Sequence, residues 1–141
     1  MNYQSGQQVT DSRLIANIIK AINGEYTSIY CYEQLANQAQ NSDVKNQILE
    51  IRNDEIRHYQ GFAQIYTSLT GYQPTPKLTN QCPPDFRNGV VAAFKDEQDT
   101  VDFYHEVARE TPNLFIKDQF QQASFDEQNH AVWFLFFMNH S

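Results

Sequence analysis

Six residues of this chain combine metal-binding side chains with a spacing that repeats. They form two sets, each a glutamate followed 30 residues later by Glu-x-x-His: Glu25, Glu55 and His58, then Glu97, Glu127 and His130. Each member of the second set lies 72 residues after its counterpart in the first. Carboxylates with one imidazole per ion suit Fe(II) or Mn(II) better than copper or a structural zinc ion. Together the two sets can hold a pair of metal ions, and we predict a dinuclear site.

The six residues interrupt the apolar stripes of four predicted helices. These stripes contain Ile18, Ile22, Glu25, Ile29, Tyr32 and Ala36; Ile48, Ile51, Glu55, His58, Phe62, Ile65 and Leu69; Val90, Phe94, Glu97, Val101, Tyr104 and Ala108; and Phe120, Ala123, Glu127, His130, Phe134 and Phe137. Spacings of three and four place each stripe on the helix face that turns inward in a bundle. Four carboxylates in a dry core would each cost several kcal/mol if uncompensated. Because the stripes contain no Lys or Arg, two divalent cations are the simplest compensation.

Turn and capping residues predict where the helices end. Asp11 or Ser12 is a candidate cap for the first helix, and Ser42 or Asp43 for the second. Gly71 is placed to end the second helix. Pro84 suits the first turn of the third helix, and Thr111-Pro112-Asn113 separates the third from the fourth.

The lengths of the links predict an all-α four-helix bundle of two antiparallel helix pairs joined by a long crossover. The links at 37–42 and 111–113 are short, so the helices that they join are antiparallel neighbours. The Pro-rich stretch 72–83 reaches roughly 37 Å at about 3.1 Å per residue. That matches a helix of about 26 residues at ~1.5 Å per residue, so the third helix is expected parallel to the second. Residues 12–141 are predicted to form the bundle, and residues 1–11 a flexible polar tail.

Composition excludes some partners and predicts a compartment. The net charge of −7 disfavours nucleic acid, which calls for a basic face. No apolar run approaches the ~18 residues that span a bilayer, and the first residues contain no apolar signal segment. We therefore expect a cytoplasmic protein with no membrane partner. Cys31 and Cys82 form no Cys-x-x-Cys motif, and we predict that both are free thiols in a reducing cytosol.

Over residues 12–138 the chain resembles the ferritin-like di-iron carboxylate superfamily, whose ligand set is the arrangement described above. The motifs Glu25-x6-Tyr32-x2-Leu35-Ala36 and Glu97-x6-Tyr104-x2-Val107-Ala108 are similar to those of the rubrerythrin core domain. The six-ligand set resembles the ferroxidase centre of bacterioferritin. The resemblance implies two iron ions, with manganese as the alternative metal. It also implies that the first glutamate of each set is a terminal ligand, that the glutamate of each Glu-x-x-His bridges the metals, and that each histidine binds one metal.

Two further symmetric pairs are predicted to support the ligands. Asp54 and Asp126 each precede a predicted bridging glutamate, and metal-bound histidines usually donate their other N–H to a carboxylate. We predict that Asp54 accepts from His130 and Asp126 from His58; the alternative is that both aspartates are solvated. Tyr32 and Tyr104 share the inward face, where a metal-binding carboxylate or plain core packing would accommodate their phenols.

The other candidates fall outside the stripes or near the chain end, and we do not predict them as ligands: Glu33, Glu50, Glu106, Glu110, His105 and His140. Phe94 stands where rubrerythrins have an extra glutamate, and no rubredoxin-type cysteines accompany the bundle. Ile56 replaces the methionine through which bacterioferritin binds haem, so no haem is expected.

The function predicted is a di-iron oxidoreductase reducing H2O2 or O2, as a rubrerythrin-like peroxidase does. The alternatives are a ferroxidase that handles iron, and a non-catalytic metal-binding or assembly protein. Electrons are expected from a separate donor or from Fe(II) itself. A homodimer is predicted because Tyr26, Tyr30 and the aromatic stretch Trp133–Phe137 offer more aromatic side chains than one inward face needs.

Overall fold

Four helices make up the architecture of the computed structural model, which describes residues 3–140 and their side chains from Ser12 onward. They are α1 (Tyr3–Gln38), α2 (Ser42–Thr70), α3 (Phe86–Glu110) and α4 (Leu114–His140). No strand occurs among residues 3–140. The predicted all-α four-helix bundle is confirmed. No helix in this part of the chain is long and apolar enough to cross a membrane.

The capping residues differ in part from those predicted. Asn41, not Ser42 or Asp43, caps α2: its extended backbone lets the side chain accept hydrogen bonds from two N–H groups of the first turn. Gly71 ends α2 as predicted, in the left-handed conformation with φ 79° that favours glycine. Asp85 caps α3, so Pro84 precedes the helix and does not lie in its first turn.

The first helix begins earlier than the sequence predicted. Because α1 starts at Tyr3, Asp11 and Ser12 lie within the helix and do not cap it. Residues 1, 2 and 141 lie outside the described part of the chain, and the side chains of residues 3–11 are not described. The flexible tail predicted for residues 1–11 stays a prediction.

Side-chain contacts across the bundle fix the direction of each helix. Tyr32 pairs with Glu97 and Tyr104 with Glu25, so residue numbers rise along α1 as they fall along α3. Since α1 is also antiparallel to α2, the third helix is parallel to the second. This is the predicted topology, with the segment between Gly71 and Asp85 as the long crossover.

The buried apolar side chains form two layers that enclose the middle of the bundle. In one layer Phe62 stacks on Phe120 with ring centroids 4.5 Å apart, and Tyr104 meets both rings edge-on at 5.3 Å. In the other, Tyr32 lies against Phe134 at 5.2 Å. Each fully buried aromatic side chain contributes roughly 2–3 kcal/mol of hydrophobic stabilisation. The polar residues between the layers are therefore shielded from solvent at both ends.

The crossover lies along α1 and is bonded to it. Lys77 donates its backbone N–H to the Asn23 side chain, and Thr79 donates its own to Thr27. Further along, Cys82 forms a disulfide with Cys31, 51 residues away in sequence. The prediction that the two cysteines are free thiols is wrong. The two cysteines meet because Asn23, Thr27 and Cys31 recur every four residues and so share the helix face that the crossover covers.

Candidate metal centre

All six predicted ligands lie together at the centre of the bundle, between the two apolar layers. Each helix contributes at least one of them, and none of the six side chains is more than 8% exposed: Glu25, Glu55, His58, Glu97, Glu127 and His130. Helices place them because Glu and His three residues apart lie on one face, one turn from each other. The structure thus brings the whole predicted set into one cluster.

The cluster divides into two overlapping groups of possible ligand atoms. Glu25 and His58 belong to one group, Glu97 and His130 to the other, and Glu55 and Glu127 to both. Within each group, one ligand atom from every residue lies within 4.8 Å of the others. A carboxylate shared by two groups is the geometry that a bridging ligand needs. The two groups divide the six residues in the way that the resemblance implies for terminal and bridging ligands.

Each histidine turns one ring nitrogen to the cluster and the other to an aspartate. Nδ1 of His58 lies 3.2 Å from Glu25 Oε2, and Nδ1 of His130 lies 3.2 Å from Glu97 Oε2. The opposite nitrogens lie 2.8 Å from Asp126 and 2.7 Å from Asp54. These are the pairings predicted from the sequence, so neither aspartate is merely solvated. When Nε2–H is donated to an aspartate and Nδ1 carries no proton, the lone pair of Nδ1 is directed at the cluster.

Arg57 connects the two supporting aspartates on the solvent side. Its guanidinium forms an ion pair with Asp54 and lies 4.0 Å from Asp126. The pair with Asp54 is a contact between residues three apart on α2, whereas the contact with Asp126 depends on how α2 and α4 face each other, and sequence alone did not predict either partner. Since Arg57 is exposed, the pair with Asp54 contributes at most about 1 kcal/mol to stability.

The two buried tyrosines hold the outer glutamates across the helix pairs. Tyr104 donates its hydroxyl to Glu25 at 2.5 Å, and Tyr32 donates to Glu97 at 2.6 Å. Each tyrosine thus supports the glutamate of the opposite half of the chain. Burial, followed by the nearby carboxylates, raises the pKa of both phenols well above the ordinary value, so they stay neutral donors.

The cluster perturbs the titration of its own members. Burial, and then the neighbouring carboxylates, raises the pKa of Glu55 and Glu127 well above the usual range. Burial lowers the pKa of His130, but hydrogen bonding to Glu97 and the surrounding negative charge outweigh it and raise the pKa to about 10. The pKa of His58 is raised for similar reasons, with Asp126 as its main partner. Protons therefore compete for the positions that a cation would occupy.

Several carboxylate oxygens in the cluster have no hydrogen-bond partner. They are Glu25 Oε1, both Oε atoms of Glu55, and Glu127 Oε1. Buried polar atoms without a partner are rare in proteins and call for an explanation such as an ion. Four carboxylates and two imidazoles with these free oxygens are a donor set that fits two divalent cations.

A cavity of about 280 Å³ leads from the surface between α1 and α3 to this cluster. Glu25, Glu127 and Tyr104 form its inner wall, whereas Thr79 and Asn80 of the crossover lie along it. Asp96 and Asp99 also line it, and both are exposed. The cavity is a route by which a small molecule or an ion can reach the ligands.

The residues that were not predicted as ligands lie away from the cluster. His105 packs against Phe125, and His140 stacks on Phe136. Glu33, Glu50, Glu106 and Glu110 are exposed.

Solved structures with this architecture define the class to which the fold belongs, that of ferritin-like four-helix proteins. A ferritin-like, diiron-carboxylate protein from Bacillus anthracis str. Ames has a TM-score of 0.82, with 22% identity and coverage of 92% of this chain and 98% of that one. The bacterioferritin of Desulfovibrio desulfuricans, solved for its diiron site, has a TM-score of 0.78 with 18% identity, covering 93% and 81%. A hypothetical protein from Pyrococcus furiosus has a TM-score of 0.75 with 16% identity, covering 89% and 87%.

The sequence identifies the family more narrowly. The chain is 54% identical over 128 residues to the uncharacterized protein YhjR of Bacillus subtilis (strain 168), which covers 91% of this chain and 88% of that protein. The chain belongs to the family of YhjR. No family model matches it.

Proposed function

We propose that the protein is a di-iron oxidoreductase that reduces H2O2 or O2 at the Glu4His2 cluster. The observation that carries this proposal is the pair of overlapping donor groups that share Glu55 and Glu127 and leave buried oxygens without partners. Of the solved structures with the same fold, one is described as a diiron-carboxylate protein and another as having a diiron site. When bound, two iron ions would supply the electrons that reduce the oxidant.

The residues of the chain have separable tasks in this proposal. Glu25 and Glu97 would be terminal ligands, each held by a tyrosine, and Glu55 and Glu127 would bridge the ions. His58 and His130 would each bind one ion through Nδ1, oriented by Asp126 and Asp54. The apolar layers exclude water from the two ends of the cluster. Manganese is the alternative metal, because it accepts the same ligands.

Ferroxidase activity is the second candidate, and the cavity is the observation that favours it. Its lining includes Asp96, Asp99 and one lysine, Lys20, besides the two ligand glutamates, and a cavity with this excess of acidic groups in a protein of net charge −7 attracts cations. A ferroxidase would oxidise many Fe(II) ions per chain and pass Fe(III) onward. A peroxidase would retain two irons and require a separate electron donor to reduce them again.

The test is to load metal-free protein with two Fe(II) per chain without oxygen, and then to mix it separately with H2O2 and with O2. Near-ultraviolet ferric absorbance reports the oxidation. Faster oxidation by H2O2, with two irons retained and re-reducible, supports the peroxidase. Fast oxidation by O2 with further Fe(II) consumed supports the ferroxidase. Metal binding without any valence change with either oxidant favours the non-catalytic metal-binding or assembly protein.

We also propose that the protein is a cytoplasmic homodimer with no nucleic-acid or membrane partner. Tyr30, Leu135 and Phe136 support the dimer, because each exposes 46% or more of its surface. Leu135 and Phe136 are neighbours on α4, and contiguous exposed apolar surface is a feature of protein interaction sites. Sedimentation equilibrium of the wild type and of Phe136→Glu tests this: a monomeric wild type refutes the dimer.

A further inference from the structure

The crossover is attached to the bundle by few interactions. None of the side chains from Tyr72 to Asp85 is buried. Its hydrogen bonds to α1 involve Lys77, Thr79 and Pro84, each at a partly buried or exposed position. Between its ends, the described residues provide one covalent attachment, the Cys31–Cys82 disulfide. Segments with little buried surface open at low free energy, so the disulfide governs how firmly this one is held.

The disulfide is also accessible from solvent. Both cysteines are half-buried, and both line a cavity of about 380 Å³ between α1, α3 and the crossover. A cavity of that volume admits a low-molecular-weight thiol. Thiol–disulfide exchange depends on access to a sulfur atom, and a disulfide sealed in the core would lack it.

The same stretch of crossover forms a wall of the route to the metal cluster. Asn80 lines both the cavity beside the disulfide and the cavity that ends on Glu25 and Glu127. Thr79, three residues before Cys82, lines the second cavity and is bonded to Thr27. Releasing Cys82 would therefore loosen the wall that borders the route.

We propose that Cys31–Cys82 is a thiol-exchange site whose reduction frees the crossover and opens the route to the metal cluster. A thiolate attacks one sulfur, forming a mixed disulfide while the other cysteine leaves as a thiolate and takes a proton. A second thiol attacks the mixed disulfide, which frees the second cysteine and yields the oxidised thiol dimer. The two electrons come from the two external thiols. The opening of the route rests on the proposed function, whereas the exchange does not.

The charges around the disulfide determine which external thiols react with it fastest. Asp96 is the charged side chain that lines this cavity, and the whole chain has a net charge of −7. Both disfavour an anionic thiol, because like charges lower the local concentration of the reagent. The site is therefore expected to react with neutral or cationic small thiols.

The first experiment uses metal-free wild-type protein and counts released thiols after native treatment with cysteamine or with 2-mercaptoethanesulfonate. Each reduction rate is divided by the concentration of the reagent's thiolate form, so that the two reagents can be compared. The rate for the denatured protein is the reference for a fully accessible disulfide. We expect the disulfide of the native protein to be reduced within minutes. Reduction by cysteamine should be at least threefold faster than reduction by 2-mercaptoethanesulfonate, and this difference in rate should shrink as the salt concentration rises. A disulfide that is reduced only after denaturation would overturn the proposal.

The second experiment measures hydrogen exchange and metal uptake in the oxidised protein, the reduced protein and Cys31→Ser/Cys82→Ser. Peptides covering 72–85 should exchange at least tenfold faster in the two opened forms, at exchange times over which the peptides of α2 and α4 remain protected in all three forms. Zn(II) uptake should be at least threefold faster. Equal exchange of 72–85 in all three forms, or equal uptake, overturns the proposal. Failure of all three forms to bind Zn(II) would instead count against the metal site, and the exchange data would still decide whether the crossover opens.

Discussion

Replacing Glu55 with glutamine should make the metal-free protein more stable. The Glu55 side chain is fully buried and neither of its carboxylate oxygens has a hydrogen-bond partner, while its nearest cationic group is the His58 ring, whose Nδ1 lies 3.2 Å from Oε1. Three other buried glutamates surround it, so the cluster contains four carboxylates and two imidazoles. Glutamine has the same shape without the charge, and its N–H can donate to carboxylate oxygens that lack a partner, such as Glu127 Oε1.

The size of the effect follows from the cost of burying a carboxylate. That cost is several kcal/mol for an uncompensated ion in a real protein. Protonation limits it, because the raised pKa of Glu55 lets the group neutralise itself in part. We therefore expect Glu55→Gln to raise the unfolding free energy by about 2–3 kcal/mol at pH 7. At roughly 2–4 °C per kcal/mol, the melting temperature should rise by about 4–12 °C.

The pH dependence of the difference provides a second check. A folded-state pKa above the unfolded value means that stability is lost as pH rises through the folded pKa. The wild type has this dependence at Glu55 and the variant does not, so the gap should widen from pH 5 to pH 8. Glu106→Gln is the matched control, since Glu106 is exposed and its replacement should stay within about 0.5 kcal/mol.

Chemical and thermal denaturation in the presence of a chelator measure the effect, and both should be repeated with excess Zn(II). Metal binding stabilises the native state by about 2.7 kcal/mol per site at 100 times the dissociation constant, or roughly 5 kcal/mol for two sites, so added metal should reverse the order of wild type and variant. A metal-free Glu55→Gln that is no more stable than the wild type would contradict this prediction. It would show that the carboxylate is satisfied without a cation.

Further predictions concern the residues around the ligands. Tyr104→Phe removes the hydrogen bond to Glu25 and should weaken metal binding about tenfold by calorimetric titration, and unchanged affinity would contradict its positioning role. Asp126→Asn should weaken binding at one of the two metals by about 10–100-fold, whereas equal loss at both would argue against its pairing with one histidine. The metal-free protein should lose stability between pH 5 and pH 9, because the pKa values of His58 and both Glu-x-x-His glutamates are raised; a flat profile in urea denaturation would refute this. Cys31→Ser/Cys82→Ser opens a loop of 51 residues and should lower the unfolding free energy by about 4 kcal/mol, and a loss below about 1 kcal/mol would contradict that estimate.

The positions of the ligands were predictable because they depend on helical periodicity. Once Glu55 and His58 share a face with Ile51 and Phe62, the only place for them is the inside of a bundle. The 72-residue repeat then predicts the second half. The pairing of each histidine with the aspartate of the opposite half also followed, since antiparallel helices bring the two motifs side by side.

The features that the sequence did not predict depend on how segments far apart in the chain are placed relative to each other. The disulfide requires the path of an irregular crossover, and no periodic pattern encodes that path. Only the recurrence of Asn23, Thr27 and Cys31 on one face of α1 hinted at a covered surface. The contact of Arg57 with Asp126 likewise needed the relative placement of α2 and α4. The start of α1 at Tyr3 was missed because Asp11 and Ser12 are common capping residues that here lie inside a helix.

The most direct test of the cluster of four glutamates and two histidines is its metal stoichiometry. Metal-free wild type, Glu55→Ala and Glu106→Ala should be titrated with Fe(II) under anaerobic conditions, and the bound iron counted by elemental analysis after gel filtration. We predict two ions per chain for the wild type and for Glu106→Ala, and loss of the two-ion complex in Glu55→Ala. Two tightly bound irons in Glu55→Ala, or none in the wild type, would contradict the account.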